Sequence, residues 1–291
     1  MRTRWLLTLV CLAACGGPGT AQGNNPRDGG LRDGVLLLPK GLREVSGIAA
    51  ADERTLVCVQ DEAGALFFVD LDGQRAAHAV VFGPPGDYEG LAKVGDDYWV
   101  LRSDGVLMHL QWFDGGLLVV GKHRLETPHK DWEGLCYDAA RKMLLVLPKD
   151  RGGDTKEDRD ERIVFAFDPV DARLRPELEL VFSKSRLVEQ AARRGLDMPS
   201  HTTGKGKTRI DLKLHCSEVS TVPGKRELLL LSGIDRTLLR VDYEGRLLAS
   251  RVFDARELPR PEGMTYLPDG RLLVASEGVK GPGVVRVVKI D

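Results

Sequence analysis

The chain has 291 residues, with 42 Lys and Arg against 43 Asp and Glu, a formal net charge of −1 and 42% hydrophobic residues. No basic stripe interleaved with aromatics runs along it, which argues against a nucleic-acid surface. Its five cysteines include Cys58, Cys136 and Cys216 in the body of the chain, an odd set that does not make a disulfide framework. These three read as buried free thiols, with a Cys136 to Cys216 bond as the alternative.

At the amino terminus Arg2 and Arg4 precede an apolar run from Trp5 to Leu12. That run is shorter than the ~18 to 20 apolar residues needed to cross a bilayer, so it reads as the core of a secretory signal. Leu12-Ala13-Ala14-Cys15 has the form of a bacterial lipobox, making 1–15 a lipoprotein signal peptide and Cys15 the lipid-bearing residue. The alternative is an ordinary signal cut after Ala21, with Cys15 incidental. Several acyl chains hold a protein on a membrane where one holds it only reversibly, so a membrane partner is expected through the anchor. Gly16, by similarity to Gram-negative lipoproteins, implies a position in the cell envelope on the outer membrane, facing the periplasm. Residues 16–34 are rich in Gly, Asn, Asp and Pro, and form a flexible tether with a reach of about 25 Å.

The fold therefore lies in 35–291, where one short phrase recurs. It reads Glu44-Val45-Ser46-Gly47, Asp87-Tyr88-Glu89-Gly90, Asp131-Trp132-Glu133-Gly134, Glu218-Val219-Ser220-Thr221 and Arg260-Pro261-Glu262-Gly263. The steps are 43, 44, 87 and 42 residues, so the period is near 43 with one unit enlarged. A period of 40 to 45 with strand-like content marks a β-propeller, each repeat being one four-stranded blade.

Alternation and turn signals divide the repeats into strands. The first blade is predicted over 47–51, 55–60, 65–70 and 77–82, and the second over 90–94, 98–102, 106–111 and 117–123. The third takes 134–137, 143–147, 163–168 and 177–182, and the fourth 219–222, 227–232, 238–242 and 247–253. The fifth, 264–266, 271–275 and 284–289, lacks an outer strand. The apolar segment 34–39 is predicted to supply it, closing an all-β ring of five blades without a bare edge. A sixth blade would have to lie between Gly134 and Thr221. That stretch holds two insertions without alternating apolar runs, at 149–162 and 184–210. The first reads as a charged loop, and the second as a helix over 185–194 stopped by Gly195, followed by a basic loop.

Because blades repeat about an axis, equivalent positions meet at one mouth of the central channel. Three before each glycine position stand Glu44, Asp87, Asp131, Glu218 and Arg260; one before it stand Ser46, Glu89, Glu133, Ser220 and Glu262. Asp61, Arg102, Lys149, Asp235 and Glu277 end or follow the second strands and open on the same face. The predicted ligand-binding mouth is thus Glu44, Asp61, Asp87, Glu89, Arg102, Asp131, Glu133, Lys149, Glu218, Glu262 and Glu277, with Glu89, Glu133 and Glu262 innermost.

Two carboxylates ~8 Å apart repel by about 2 kcal/mol at an effective dielectric near 20, so such a mouth needs a cation, basic neighbours or protons. Arg102, Lys149 and Arg260 are candidate basic neighbours in a structural ion network. Calcium is the expected metal, since all the ligands offered are oxygens, with Glu89, Glu133 and Glu262 as its ligands. A hydrolytic carboxylate pair is the third reading. The histidines show no zinc spacing and no G-x-S-x-G is present. Tyr88 and Trp132 are expected to pack between blades, and the glycines to allow close approach at the narrow centre.

These phrases resemble those of the SdiA-regulated family of bacterial β-propellers. The similarity rests on Val45-Ser46-Gly47-Ile48, Asp87-Tyr88-Glu89-Gly90-Leu91, Asp131-Trp132-Glu133-Gly134-Leu135, Arg260-Pro261-Glu262-Gly263-Met264 and Leu273-Val274-Ala275-Ser276-Glu277-Gly278. Arg260 stands where that family carries Gln, and Ser220-Thr221 departs from its Ser-Gly. The resemblance implies an exported or membrane-anchored propeller, often with calcium and with no established reaction. The expected role is a monomeric ligand-, calcium- or protein-binding module with no catalytic residues. The esterase-like phytase propellers, which are similar in their Ser-Gly and Glu-Gly phrases, supply the alternative of a metal-assisted phosphoesterase.

Overall fold

The computed structural model describes residues 31, 33–73, 77–149, 155, 159–202, 204 and 206–290. Residues 1–15 with Cys15, most of the 16–34 tether and much of the 149–162 insertion lie outside the described residues.

The first strand in the chain, β1 (Val35–Leu37), is the last in the ring. Blade one is β2 (Val45–Ala50), β3 (Thr55–Gln60), β4 (Ala65–Asp70) and β5 (His78–Val81). Blade two is β6 (Tyr88–Val94), β7 (Asp97–Arg102), β8 (Val106–Phe113) and β9 (Gly116–Arg124). Blade three holds β10 (Trp132–Asp138), β11 (Met143–Pro148) and the long β12 (Glu161–Asp168). One end of β12 pairs with β13 (Arg173–Leu174) and the other with β14 (Leu180–Ser183). After a small hairpin of β15 (Ser200–Thr202) and β16 (Thr208–Ile210) comes blade four: β17 (Cys216–Thr221), β18 (Glu227–Ser232), β19 (Thr237–Asp242) and β20 (Leu247–Val252). Blade five is β21 (Pro261–Tyr266), β22 (Leu272–Ser276) and β23 (Val284–Val288), completed by β1. The chain is a five-bladed β-propeller.

Closure takes the predicted form. β1 pairs antiparallel with β23, Leu36 opposite Val285, and the Val287 amide donates to the Gly34 carbonyl. Leu36 and Leu38 sink into the cluster between blades five and one. The last blade therefore has no unpaired inner edge, which would otherwise template aggregation.

Each blade is a sheet buried on both faces, which explains the unbroken apolar runs of the second strands. Successive side chains point to opposite faces. In β18, Leu228 and Leu230 join the cluster against blade three, while Leu229 and Leu231 join the one against blade five. In β11, Leu145 and Leu147 face blade four, and Leu144 and Val146 face blade two. Five such clusters fill the five seams, and Tyr88 and Trp132, each 1% exposed, anchor two of them as expected. Cys58, Cys136 and Cys216 are free thiols, with Cys58 and Cys216 fully buried.

Blade three differs from the sequence expectation. Its outer edge, expected as one strand over 177–182, is split because a turn at Pro176–Leu178 breaks it. The predicted helix is present as α1 (Lys184–Arg194), its amino end capped by the Ser183 hydroxyl and its end turned by Gly195 at φ 65°. Leu187 and Ala191 bury its apolar stripe against blades three and four. The basic stretch after it, expected as a loop, forms the β15–β16 hairpin.

Close packing at the axis is glycine's work. A Cβ on Gly90 would lie 2.5 Å from the Leu135 Cβ and 2.9 Å from the Glu133 carbonyl, so the inner strands of blades two and three touch through backbone. Gly90→Ala is expected to cost about 1–3 kcal/mol by overpacking, read as a lower urea midpoint at unchanged slope.

Candidate functional site

Four of the five recurring phrases are built on a β-bulge at the start of the inner strand. In β6, Tyr88 pairs with Arg102 but Gly90 pairs with Leu101, so Glu89 is the extra residue. The same slip sets out Glu133 in β10 and Glu262 in β21. A bulge re-aims a side chain that regular pleating would point elsewhere. The β2 shift spans Ser46 and Gly47. Loops after the second strands close over this end: the Trp132 amide donates to the Ser103 carbonyl and the Cys216 amide to the Lys149 carbonyl.

The fourth phrase lies three residues earlier than the sequence pattern suggested. In β17, Cys216 pairs with Ser232 and Glu218 with Leu231, which makes Ser217 the bulge residue and puts Glu218 in the glycine slot. The string Glu-Val-Ser at 218–220 mimics the one at 44–46 and misleads the alignment; Cys216-Ser217-Glu218-Val219 is the true counterpart of Val45-Ser46-Gly47-Ile48. Ser220 and Thr221 line the opposite end of the channel with Ala49, Leu91, Cys136 and Met264. Glu218 is therefore no rim residue. It is 1% exposed, inside the ring, its Oε1 accepting from the Leu135 amide (2.8 Å) and its own neighbour Val219 (2.9 Å).

The acids are electrostatically joined, and most of the compensation comes from two bases and from protons. Lys149 Nζ donates to Glu133 Oε1 at 2.5 Å. Arg260 bridges Glu262 (3.0 Å) and Glu277 (3.1 Å). Burial first, then repulsion from Glu133 and a hydrogen bond with Asp87, push the Glu89 carboxyl up to about 9. Burial first, then Glu133 and Glu277, push Glu262 up to about 8, against the pull of Arg260. Burial also raises Glu133, although Lys149 opposes it, and raises Glu218 well above the usual range. Asp61 is raised by burial, then by Glu44, Glu62 and Asp87, and Glu277 by burial with Asp61 and Glu44.

The remaining predicted residues take outer positions. Glu44, Asp87 and Asp131 are exposed at the rim. The Ser103 hydroxyl donates to Asp87, and the Asp131 carbonyl accepts from the Lys149 amide. Arg102 does not serve the axial acids: it pairs with Asp104 on its own loop at 3.2 Å. Asp235 is a buried clamp for the amides of Lys213 and Leu214 and the Ser232 hydroxyl. Among the described residues no three His, Cys, Asp or Glu side chains lie close enough to hold a metal ion. As arranged, Glu133 is paired with Lys149 and Glu262 with Arg260.

Sequence reasoning missed the seam between blades four and five. A cleft of about 350 Å³ opens there, lined by Lys149, His215, Ser217, Ile234, Arg236, Arg260, Glu262 and Val279. Ser217 spans its floor, its hydroxyl donating to the Pro261 carbonyl at 3.0 Å.

No protein-family model matches the chain and no curated protein matches it. Among solved structures it is similar to the glutaminyl cyclase of Myxococcus xanthus, at 13% identity and a TM-score of 0.51, over 88% of this chain and 97% of that one. It also aligns with a streptogramin B lyase at 9% identity and a TM-score of 0.46, covering 88% of this chain and 96% of the other. A catalytically inactive virginiamycin B lyase from Staphylococcus aureus with quinupristin aligns at 12% identity and a TM-score of 0.47, over 84% of this chain and 81% of that one. At such identities the likeness to the cyclase concerns the fold alone.

Two predictions follow from the buried acids. Groups whose folded pKa lies above the unfolded value near 4.5 stabilise fully below that value and lose the contribution as pH rises through the folded pKa. Thermal midpoints should therefore fall between about pH 5 and 9, and Glu89→Gln with Glu262→Gln should flatten the decline. Carboxylates held low by hydrogen bonds, such as the buried Asp138 and the half-buried Asp160, act only in the acid range and do not oppose it. Glu218→Gln keeps an acceptor for the two amides and should be near neutral, whereas Glu218→Ala orphans both and should cost about 1–3 kcal/mol in urea unfolding.

Proposed function

We propose that this chain is a membrane-anchored, extracytoplasmic propeller that binds a ligand at its charged axial mouth and serves as a binding or interaction module. The observation that carries this reading is the convergence of Glu89, Glu133 and Glu262, from three blades, on one opening with Lys149 and Arg260. Two of these acids are held above neutrality, and strongly perturbed groups beside a cleft gather where ligands bind. The anchor rests on Leu12-Ala13-Ala14-Cys15, and the placement on the outer membrane on Gly16. The resemblance to the SdiA-regulated propellers supports the same reading through its phrases at Gly47, Gly90, Gly134 and Gly263.

Calcium enters this proposal as a ligand that would displace Lys149 from Glu133 and protons from Glu89 and Glu262. One observation favours the enzymatic alternative: Glu89 and Glu262 are carboxylic acids able to donate a proton at neutral pH, the property general-acid catalysis needs. A hydrolase built on them would lose turnover of phosphoesters or esters in Glu133→Gln, since Lys149 would no longer be held.

The deciding measurement is a melting titration with calcium chloride at pH 6 and pH 9, with proton release followed in weak buffer. Binding at the mouth predicts stabilisation of about 2.7 kcal/mol at a hundredfold excess over Kd, stronger at pH 9 and lost in Glu89→Gln and Glu133→Gln. Flat titrations with calcium, together with no turnover of ester substrates, would leave only a structural ion network.

A further inference from the structure

The seam between blades four and five is chemically unlike the other four. In blades one, two, three and five a glycine abuts the next inner strand: Gly47 meets the Glu89 carbonyl, Gly90 meets Leu135, Gly134 meets Val219, and Gly263 meets Ser46 and Ile48. Blade four alone carries Glu218 in that slot, and its carboxyl turns back to the Leu135 amide of blade three. The two inner strands at the following seam, β17 and β21, are accordingly held less closely than the other neighbouring pairs. The cleft opens beside this seam, bounded by Gly233 of the loop after β18, where a Cβ would lie 2.7 Å from the Pro261 carbonyl.

Its lining is cationic with apolar lips. Lys149, Arg236 and Arg260 contribute three positive charges. Glu133 is ion-paired to Lys149, and Arg260 to both Glu262 and Glu277, while burial raises the Glu262 carboxyl to about 8. The charge left over belongs to Arg236. Its Nε is buried with no hydrogen-bond partner. Asp254, the acid it faces, is already bonded to Arg256. Arg236 also sits at φ 48°, a left-handed conformation that a non-glycine residue adopts only when its surroundings hold it there. Beside it, Ile234 is 60% exposed and Val279 53% exposed, two branched apolar side chains facing water across the opening.

We propose that this cleft binds a small organic monoanion, a carboxylate on a short apolar body, with the carboxylate on Arg236 and Arg260 and the body between Ile234 and Val279. A guanidinium fork matches a planar carboxylate in two parallel bonds. A cleft of about 350 Å³ is within the range that takes small ligands. The inference rests on reading the mouth as a ligand site, and names what enters its off-axis side.

The test is calorimetry and thermal shift on the purified protein at pH 7 with hexanoate, acetate, inorganic phosphate and hexylammonium. Hexanoate should bind at least tenfold more tightly than acetate or phosphate, and hexylammonium should not bind. Arg236→Met should weaken hexanoate tenfold or more with an unchanged melting midpoint of the free protein, and Arg236→Lys should restore part of the loss. Ile234→Ser with Val279→Ser should reduce hexanoate to the level of acetate. Equal binding of hexylammonium, tighter binding of phosphate, or hexanoate affinity indifferent to Arg236→Met would overturn the assignment. Calcium uptake with proton release, but no binding of hexanoate, would remove the cleft proposal and leave the mouth reading intact. Silence towards every probe would remove both.

Discussion

Everything at the centre of this ring depends on how near five inner strands can come to one another. Where a glycine stands in the slot, the backbone of one blade rests on the backbone of the next, and a single methyl group would collide with it. Interiors packed to that density transmit small changes of volume directly into strand spacing. The bulge just before each slot is the consequence at the rim. It pushes one side chain per blade toward the axis, and in three blades that side chain is glutamate.

Gathering carboxylates around an axis is electrostatically unfavourable, and the molecule relieves it in two ways. Lys149 and Arg260 reach across from their loops to Glu133, Glu262 and Glu277. Burial raises the acids themselves as well, Glu89 to about 9 beside Asp87 and Glu262 to about 8 in spite of Arg260. The mouth is therefore less negative than its composition suggests, and its charge changes with pH and with whatever displaces the compensating groups. Lys149, Arg260 and Glu262 contribute to both the axial mouth and the cleft at the seam, so the two are adjoining parts of one charged surface.

The departure in blade four shows how a repeat architecture acquires a distinctive side. Four inner strands carry glycine in this slot and one carries a glutamate whose carboxyl is spent on the previous blade, with Gly233 of the following loop packed against the Pro261 carbonyl instead. Repetition supplies the ring, and the exception supplies the opening. Propellers host many chemistries on one scaffold, so the argument for function must come from such local breaks rather than from the fold.

Much of this was legible in the chain. The period near 43 residues, the alternating strands and the apolar segment before the first repeat sufficed for a five-bladed ring closed by β1, because each blade must bury both faces against its neighbours. The convergence of Glu89, Glu133 and Glu262 followed from the repeat alone. The register of the fourth phrase did not, since Glu-Val-Ser at 218–220 fits the pattern in sequence, and only pairing with β18 reveals that Glu218 fills a glycine's place. Nor could the sequence assign Arg102 to Asp104 rather than to the axial acids, or bring Arg236, Ile234 and Val279 together beside Arg260. Periodicity records which positions are equivalent about an axis, whereas ion pairing and cleft formation depend on distances between blades, which only the closed ring establishes.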